Sequence, residues 1–418
     1  MNKNTSILNK LGPGLLYAGA AIGVSHLVQS TRAGASFGIA MIVVVILANF
    51  FKYPFFQYGP RYVAATGKSL LHGYKKLGSW AVWLFFILTL GTMFIIQGAV
   101  TMVTAGLAKF LTGTSFSIWY WMLIILGLSA GLLVSGKIKV LDKFMKIVMV
   151  ILAVTTIAAA ISSIFADVEH TTISPIFSFT NKEHIFFLIA FIGWMPAPID
   201  ISVWYSVWSE SKANDMGERP SLKNSLFDFS VGYWGTAFLA LCFVALGAFM
   251  LHNTGVELSP SAVVFSGQII EAYSNSLGNW ATPIISIAAF TTMFSTTVSV
   301  MDGITRVMVP TTGFLFTDNE EKTDSKKSYI FWLAGLSIGS FLLVSNFAQN
   351  MKEMVDFATS LSFLTAPILA YLNVKVMSSD EISEEFRPSP FTRVVSYIGL
   401  VILLVFSLVY LAFKFGLI

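Results

Sequence analysis

The sequence holds a single cysteine, Cys242, set in an apolar run. An intrachain disulfide is therefore excluded, and cysteine usage says little about compartment. Charge is also scarce: Asp, Glu, Lys and Arg make up 11% of the chain, where soluble domains carry about 25%. Three further absences narrow the chemistry: no phosphate-binding Walker loop, no His-Glu-x-x-His metalloprotease helix and no cysteine pairs for a zinc site. With loops too short for a catalytic domain, no enzyme is expected. What is present is apolar surface, with 55% hydrophobic residues and a mean hydropathy of +0.74. Many windows of about 20 apolar residues are each long enough to cross a hydrocarbon core of about 30 Å. The fold class expected is an all-α polytopic membrane protein, with the lipid bilayer as its partner. The net charge of +4 bears on topology, not on nucleic acid.

Eleven spans are expected, at about 12–36, 39–63, 80–108, 116–135, 140–165, 185–209, 226–251, 280–305, 328–346, 353–377 and 392–416. The segment 259–276 is short and carries Gln268 and Glu271, so it reads as an amphipathic helix outside the membrane. Lys and Arg counts orient the bundle. Of 26 such residues, Arg32, Lys109, Lys182, Lys352 and Lys414 fall on one side, Lys52 lies inside a span, and all others fall on the opposite side. This bias predicts a cytoplasmic N-terminus and an outside C-terminus in the plasma (cell inner) membrane. The polar start, 1–10, runs straight into a span and lacks a cleavable signal pattern. The charged connectors 317–327 and 378–387 read as solvated.

The stretch 185–208 is apolar but interrupted by Met195-Pro196-Ala197-Pro198. Two prolines one residue apart remove two backbone donors and push the preceding residues out of helical geometry. In lipid, such a break survives only where it faces protein or a cavity. Asp200, Ser202, Trp204 and Tyr205 follow it, so the stretch reads as half of a binding site. Span one is also irregular: Gly12-Pro13-Gly14 opens it, Gly23-Val24-Ser25-His26 lies mid-span, and Gln29 and Arg32 follow. Ionisable groups at such depth usually face a bundle interior or cavity. Two broken spans, five apart in order, point to an inverted repeat with the site between its halves.

Several motifs carry a family likeness: Gly12-Pro13-Gly14-Leu15-Leu16, Arg32-Ala33-Gly34-Ala35, the run from Arg61 to Lys68, Met195-Pro196, and the run from Ser362 to Pro367. On these the chain resembles, over nearly its whole length, the Nramp family of divalent-metal transporters. The resemblance implies a LeuT-type fold of two inverted five-helix repeats plus an eleventh transmembrane helix. It further implies one transporter domain over 1–418, with repeats at about 12–180 and 181–377 and an extra helix at 392–416. This sequence also departs from the family at the site. Where the family reads Asp-Pro-Gly-Asn, with metal-binding oxygens at its ends, this chain has Gly23-Val24-Ser25-His26, and the histidine after Met-Pro is Ala197 here. The resemblance then implies a cargo site built from His26, Met195, the freed carbonyls near Gly23 and Ala197, and Asp356 as a replacement carboxylate. Imidazole with thioether suits a softer metal than the family's usual oxygen set.

Other candidates concern coupling and gating. The hydroxyl row of span eight, with Ser295, Thr296 and Thr297, could hold a sodium ion against carbonyls of span one, or simply bond back to its own helix. Asp200 is a candidate proton or ion coupler, Asp302 and Arg306 an i,i+4 pair or gate, and Arg32 an anion attractor or a carboxylate's partner. Trp194 and Trp204 flank the break as candidate cavity walls. No cofactor is expected beyond the transported species: a divalent metal as cargo, with Na+ or H+ coupling. The leading expectation is a symport-type secondary active transporter working by alternating access. Its rivals are a sodium- or proton-coupled carrier of a small organic or anionic solute, and a non-transporting sensor.

Overall fold

The structure is a computed structural model and describes residues 12–136, 138–169, 171–173, 176–317, 326–347 and 350–417, with the side chains of 137–146 also outside the description. The expected signal-free start at 1–10, most of the connector 317–327 and the basic residues Lys137, Lys139, Lys143, Lys146 and Lys322 thus lie outside what is described.

The helices run in order: α1 (Pro13–Ala21), a wider-wound π-helical stretch (Val24–Ser30), α2 (Thr31–Phe37), α3 (Met41–Thr66), α4 (Leu70–Leu77), α5 (Ser79–Thr112), α6 (Ile118–Ser135) and α7 (Ile138–Ser163). There follow α8 (Lys182–Gly193), α9 (Ile201–Met216), α10 (Leu222–Met250), α11 (Ala262–Leu277), α12 (Thr282–Phe316), α13 (Lys326–Phe347), α14 (Met351–Met377) and α15 (Pro390–Lys414). Among the described residues, eight helical stretches are long and apolar enough to cross a membrane, and one of them, Pro13–Thr66, holds the first two expected spans. Two expected spans are not among these eight. One is α7, whose described apolar part is short; the other is divided between α8 and α9.

Lipid exposure explains the outer surface. Ile39, Val43, Ile46 and Leu47 around the start of α3, and Val394, Ile398, Val401 and Leu408 on α15, are each about half exposed. In water such a surface would drive aggregation; in a bilayer it faces a solvent as apolar as itself. The interior is formed by α12 against α5, α10 against α2 and α3, and α14 against α8. The expected amphipathic segment is α11. It buries Phe265, Ile269, Ile270 and Tyr273, leaves Glu271 exposed, and rests on α5 and α7. Gln268 closes its approach loop by accepting from the Ser259 amide and donating to the Glu257 carbonyl.

Both expected breaks are present. In span one the helix stops at Ala21, Ile22 and Gly23 leave helical geometry, and winding resumes at Val24. Gly23 is required there by closeness: a Cβ would come within 2.6 Å of Thr296 Cγ2 on α12. In span six the residues from Trp194 to Asp200 form no helix between α8 and α9, and Pro196 and Pro198 fall inside this gap.

Candidate functional site

The two breaks face each other. Ala21, Val24 and Ser25 from the first, Trp194, Ala197 and Trp204 from the sixth, Thr296 from α12 and aliphatic side chains of α5 enclose a cavity of about 20 Å3. That is room for a water molecule or two. Its walls are mostly aliphatic and aromatic, and its polar groups come from the broken backbone, hydroxyls and indoles.

Each helix broken at this depth leaves carbonyls at the end of its first half and amides at the start of its second. The carbonyls are taken up by protein donors. Lys52, in the middle of α3 and 1% exposed, points its Nζ at four of them: Ile192 O at 2.7 Å, Gly193 O at 3.0 Å, Met195 O at 3.1 Å and Ala197 O at 3.3 Å. Thr296 Oγ1 lies 2.8 Å from Gly19 O and 3.2 Å from Ile22 O, and 3.1 Å from Thr292 O of its own helix. The hydroxyl expected to help hold sodium therefore faces the span-one carbonyls, and its single proton serves one of these three oxygens at a time. Thr297 turns towards α5, 2.8 Å from Thr104 Oγ1, and Ser295 lies beside Gly19.

His26 is fully buried and tied at both ring nitrogens. Nε2 lies 2.9 Å from Thr236 O of α10, so it must carry the proton of that bond, and Nδ1 lies 2.8 Å from Ser25 Oγ. Met195 is buried in a separate apolar cluster with Ala33, Met41, Phe191, Ala240 and Val244. Asp356 lies further along the bundle, bound bidentately by Arg32 (2.7 and 2.9 Å), with Gln29 accepting from Arg32 at 2.7 Å and donating to Asp356 at 3.2 Å. Of the expected cargo ligands, then, the structure brings Gly23 and Ala197 to the two breaks that face each other across the cavity. It turns His26, Met195 and Asp356 to three other partners. Among the described residues no group of three or more His, Cys, Asp or Glu side chains is arranged to hold a metal ion.

Asp200 is 3% exposed. It stands at the start of α9, interacts electrostatically with Lys52, and leaves Oδ2 without a hydrogen-bond partner. Trp194 and Trp204 both line the cavity. Trp194 Nε1 donates to Ser362 at 2.9 Å, whereas Trp204 Nε1 is buried without an acceptor.

Two further carboxylates tie helices together. Asp302 accepts from Arg306 on its own helix (2.8 Å), from Tyr329 (2.7 Å) and from Trp208 (3.0 Å), joining α9, α12 and α13. Asp228 of α10 accepts from the Gly12 and Gly14 amides at 2.8 Å and from Tyr205 at 2.9 Å. This explains the Gly-Pro-Gly opening of span one. Its free amides cap onto a carboxylate, and a Cβ on Gly14 would meet Asp228 O at 2.1 Å.

Asp228 and the role of Lys52 are the two features that sequence reasoning missed. Asp228 had no local motif. A lysine isolated in an apolar span, however, was itself a signal of a buried function.

A helical membrane bundle with an enclosed gap between two discontinuous helices defines a membrane transporter. Solved structures share the architecture. A manganese transporter of Eremococcus coleocola superposes with a TM-score of 0.69 at 12% identity, covering 100% of this chain and 90% of that one. MhsT in complex with L-phenylalanine gives 0.59 at 14% identity, covering 96% and 97%. Residues 14–413 match the family described as natural resistance-associated macrophage protein-like, Nramp, and the chain belongs to that family. Its members are transporters, not enzymes. An uncharacterised protein of Pasteurella multocida is 33% identical over 414 residues, 97% of this chain and 92% of that protein.

Proposed function

We propose that this Nramp-family chain is a secondary carrier of a compact organic solute that presents hydrogen-bond acceptors, such as a small carboxylate, in place of the divalent metal to which its family and its manganese-transporter neighbours point. The observation that carries this reading is the division of donors and acceptors at the breaks. A metal ion needs lone pairs. Here the carbonyls face Lys52 and Thr296, both nitrogens of His26 are engaged, and Asp356 is held by Arg32. Among the groups that line the cavity, what remains uncommitted is donors; the unpartnered Asp200 Oδ2 is not part of that lining. The amides of Val24 and Ser25 precede the first bond of their half-helix, from His26 N to Gly23 O, and Trp204 Nε1 is buried without an acceptor beside them. Amides at the start of a half-helix favour negative charge, and the two indoles offer flat apolar walls to a cargo that enters as the gap, about 20 Å3 in this conformation, widens.

The cycle we propose is alternating access, with the Arg32–Asp356 contact closing one end and the Asp228 and Asp302 clusters the other. The basic bias of the loops puts the Arg32 end outside and the N-terminus in the cytoplasm.

The test is calorimetry and proteoliposome uptake with Mn2+ beside a panel of small monocarboxylates. A carboxylate is expected to bind and enter, and Trp204→Phe, which keeps the ring but loses the N–H, to raise KM by about tenfold, or ~1.4 kcal/mol. Saturable Mn2+ binding at micromolar concentration that disappears in His26→Ala would overturn this reading in favour of metal transport.

A further inference from the structure

We infer that Lys52 is a resident cation of the transport core, a tethered ammonium occupying a carbonyl cage that would otherwise take a monovalent cation from solution. The cage comprises the carbonyls of Ile192, Gly193, Met195 and Ala197, all within 3.3 Å of Nζ. They come from the C-terminal end of α8 and the non-helical stretch after it, where the helix dipole concentrates negative charge. An ammonium has three N–H groups, so it cannot direct a hydrogen at all four oxygens at once. Four carbonyls converging on one positive centre is ion coordination as much as hydrogen bonding.

Burial demands an explanation for the charge, because an isolated ammonium away from water is strongly disfavoured. Two features offset it: the cage, and Asp200, buried seven residues after the last helical residue of α8 and interacting electrostatically with Lys52. The other charged groups around the core are committed elsewhere, Arg32 to Asp356 and Asp228 to Tyr205 and the first amides. Lys52 and Asp200 thus bring opposite charges into the core, one from α3 and one from the break itself. Because the ammonium is covalently part of α3, it ties the first half of span six to span two, and the core needs no free cation at this point. The inference holds whichever cargo the cavity takes, and its test needs no cargo.

The experiment measures thermal melting of purified full-length protein in choline chloride, against NaCl, KCl and methylammonium chloride at equal ionic strength. Wild type is expected to melt at the same temperature in all four. Lys52→Ala should melt several degrees lower in choline and recover at least half of the loss in methylammonium or sodium. Lys52→Met, whose stem fills the space, should fall without recovering. Should Lys52→Ala not survive purification, Lys52→Met combined with Asp200→Asn decides. The double variant removes both charges and is expected to melt above either single variant. An unchanged melting temperature for Lys52→Ala in choline, or a loss that no small cation repairs, would overturn the inference. So would a double variant no more stable than the worse single one.

Discussion

The contact between Arg32 and Asp356 joins the second half of span one to the start of α14, and its removal has a calculable asymmetry. Arg32 is 5% exposed and Asp356 31% exposed at the side chain. Breaking a fully buried pair costs about 3–5 kcal/mol because one charge is stranded, whereas exposed pairs contribute about 0–1 kcal/mol. Arg32→Ala leaves a carboxylate that water and Gln29 still reach, so its expected cost is about 2 kcal/mol, between those limits. Asp356→Ala strands a guanidinium with Gln29 and the face of Phe187 as its neutral partners, and its cost belongs near the upper limit. Removing both strands neither, so the double variant should be less perturbed than Asp356→Ala alone. If the pair exists only while this end is closed, 2 kcal/mol shifts the opening equilibrium by about 30-fold. The assay is the maleimide labelling rate of Val24→Cys, a cavity residue 1% exposed, in a Cys242→Ser background. Labelling should rise about 30-fold in Arg32→Ala, more in Asp356→Ala, and less in the double variant than in Asp356→Ala. Strictly additive effects, or rates within twofold of the parent, would refute the latch.

Two further perturbations probe the packing that positions the breaks. Asp228→Asn keeps the shape but weakens three charge-assisted bonds, to the amides of Gly12 and Gly14 and to Tyr205; a loss of about 2–3 kcal/mol is expected in a denaturation assay, against about 1 kcal/mol for Tyr205→Phe. Equal losses in the two variants would remove Asp228 as the cap of span one. Gly23→Ala places a Cβ 2.6 Å from Thr296 Cγ2, so about 1–3 kcal/mol of overpacking strain is expected. A variant as stable as wild type would mean that the first break is looser than its contacts imply.

The breaks were legible because they are written in backbone chemistry. Pro196 and Pro198 cannot continue a helix, and Gly23 sits among polar residues where a plain anchor would carry leucine. Nine of the eleven expected spans followed from apolar windows, and the Asp302–Arg306 contact from i,i+4 spacing. The direction in which side chains face was not legible. From sequence, His26 sits where the family places a ligand; in the bundle its Nε2 is turned to a carbonyl 210 residues away on α10. Asp356 and Arg32 were each singled out, but separately. Nothing in local spacing reveals that two residues 324 positions apart share two hydrogen bonds. Thr296 could be recognised as a hydroxyl beside the first break, yet a hydroxyl both donates and accepts, and only the facing partner decides which.

That last point decides the chemistry of the centre. A helix broken in a membrane exposes acceptors on one side of the gap and donors on the other, and the protein chooses which to cover. Covering the amides with carboxylates and leaving the carbonyls would build a cation site. This chain covers carbonyls instead: Lys52 and Thr296 face them, while Val24, Ser25 and Trp204 line the cavity and Trp204 Nε1 has no acceptor. Replacing the family's aspartate and asparagine at the first break removes oxygen ligands, and a buried lysine on the neighbouring helix supplies the opposite charge. Each of these changes weakens cation binding on its own. Together they support a centre that has kept its family's scaffold while its preference has turned from cations to acceptor-bearing solutes.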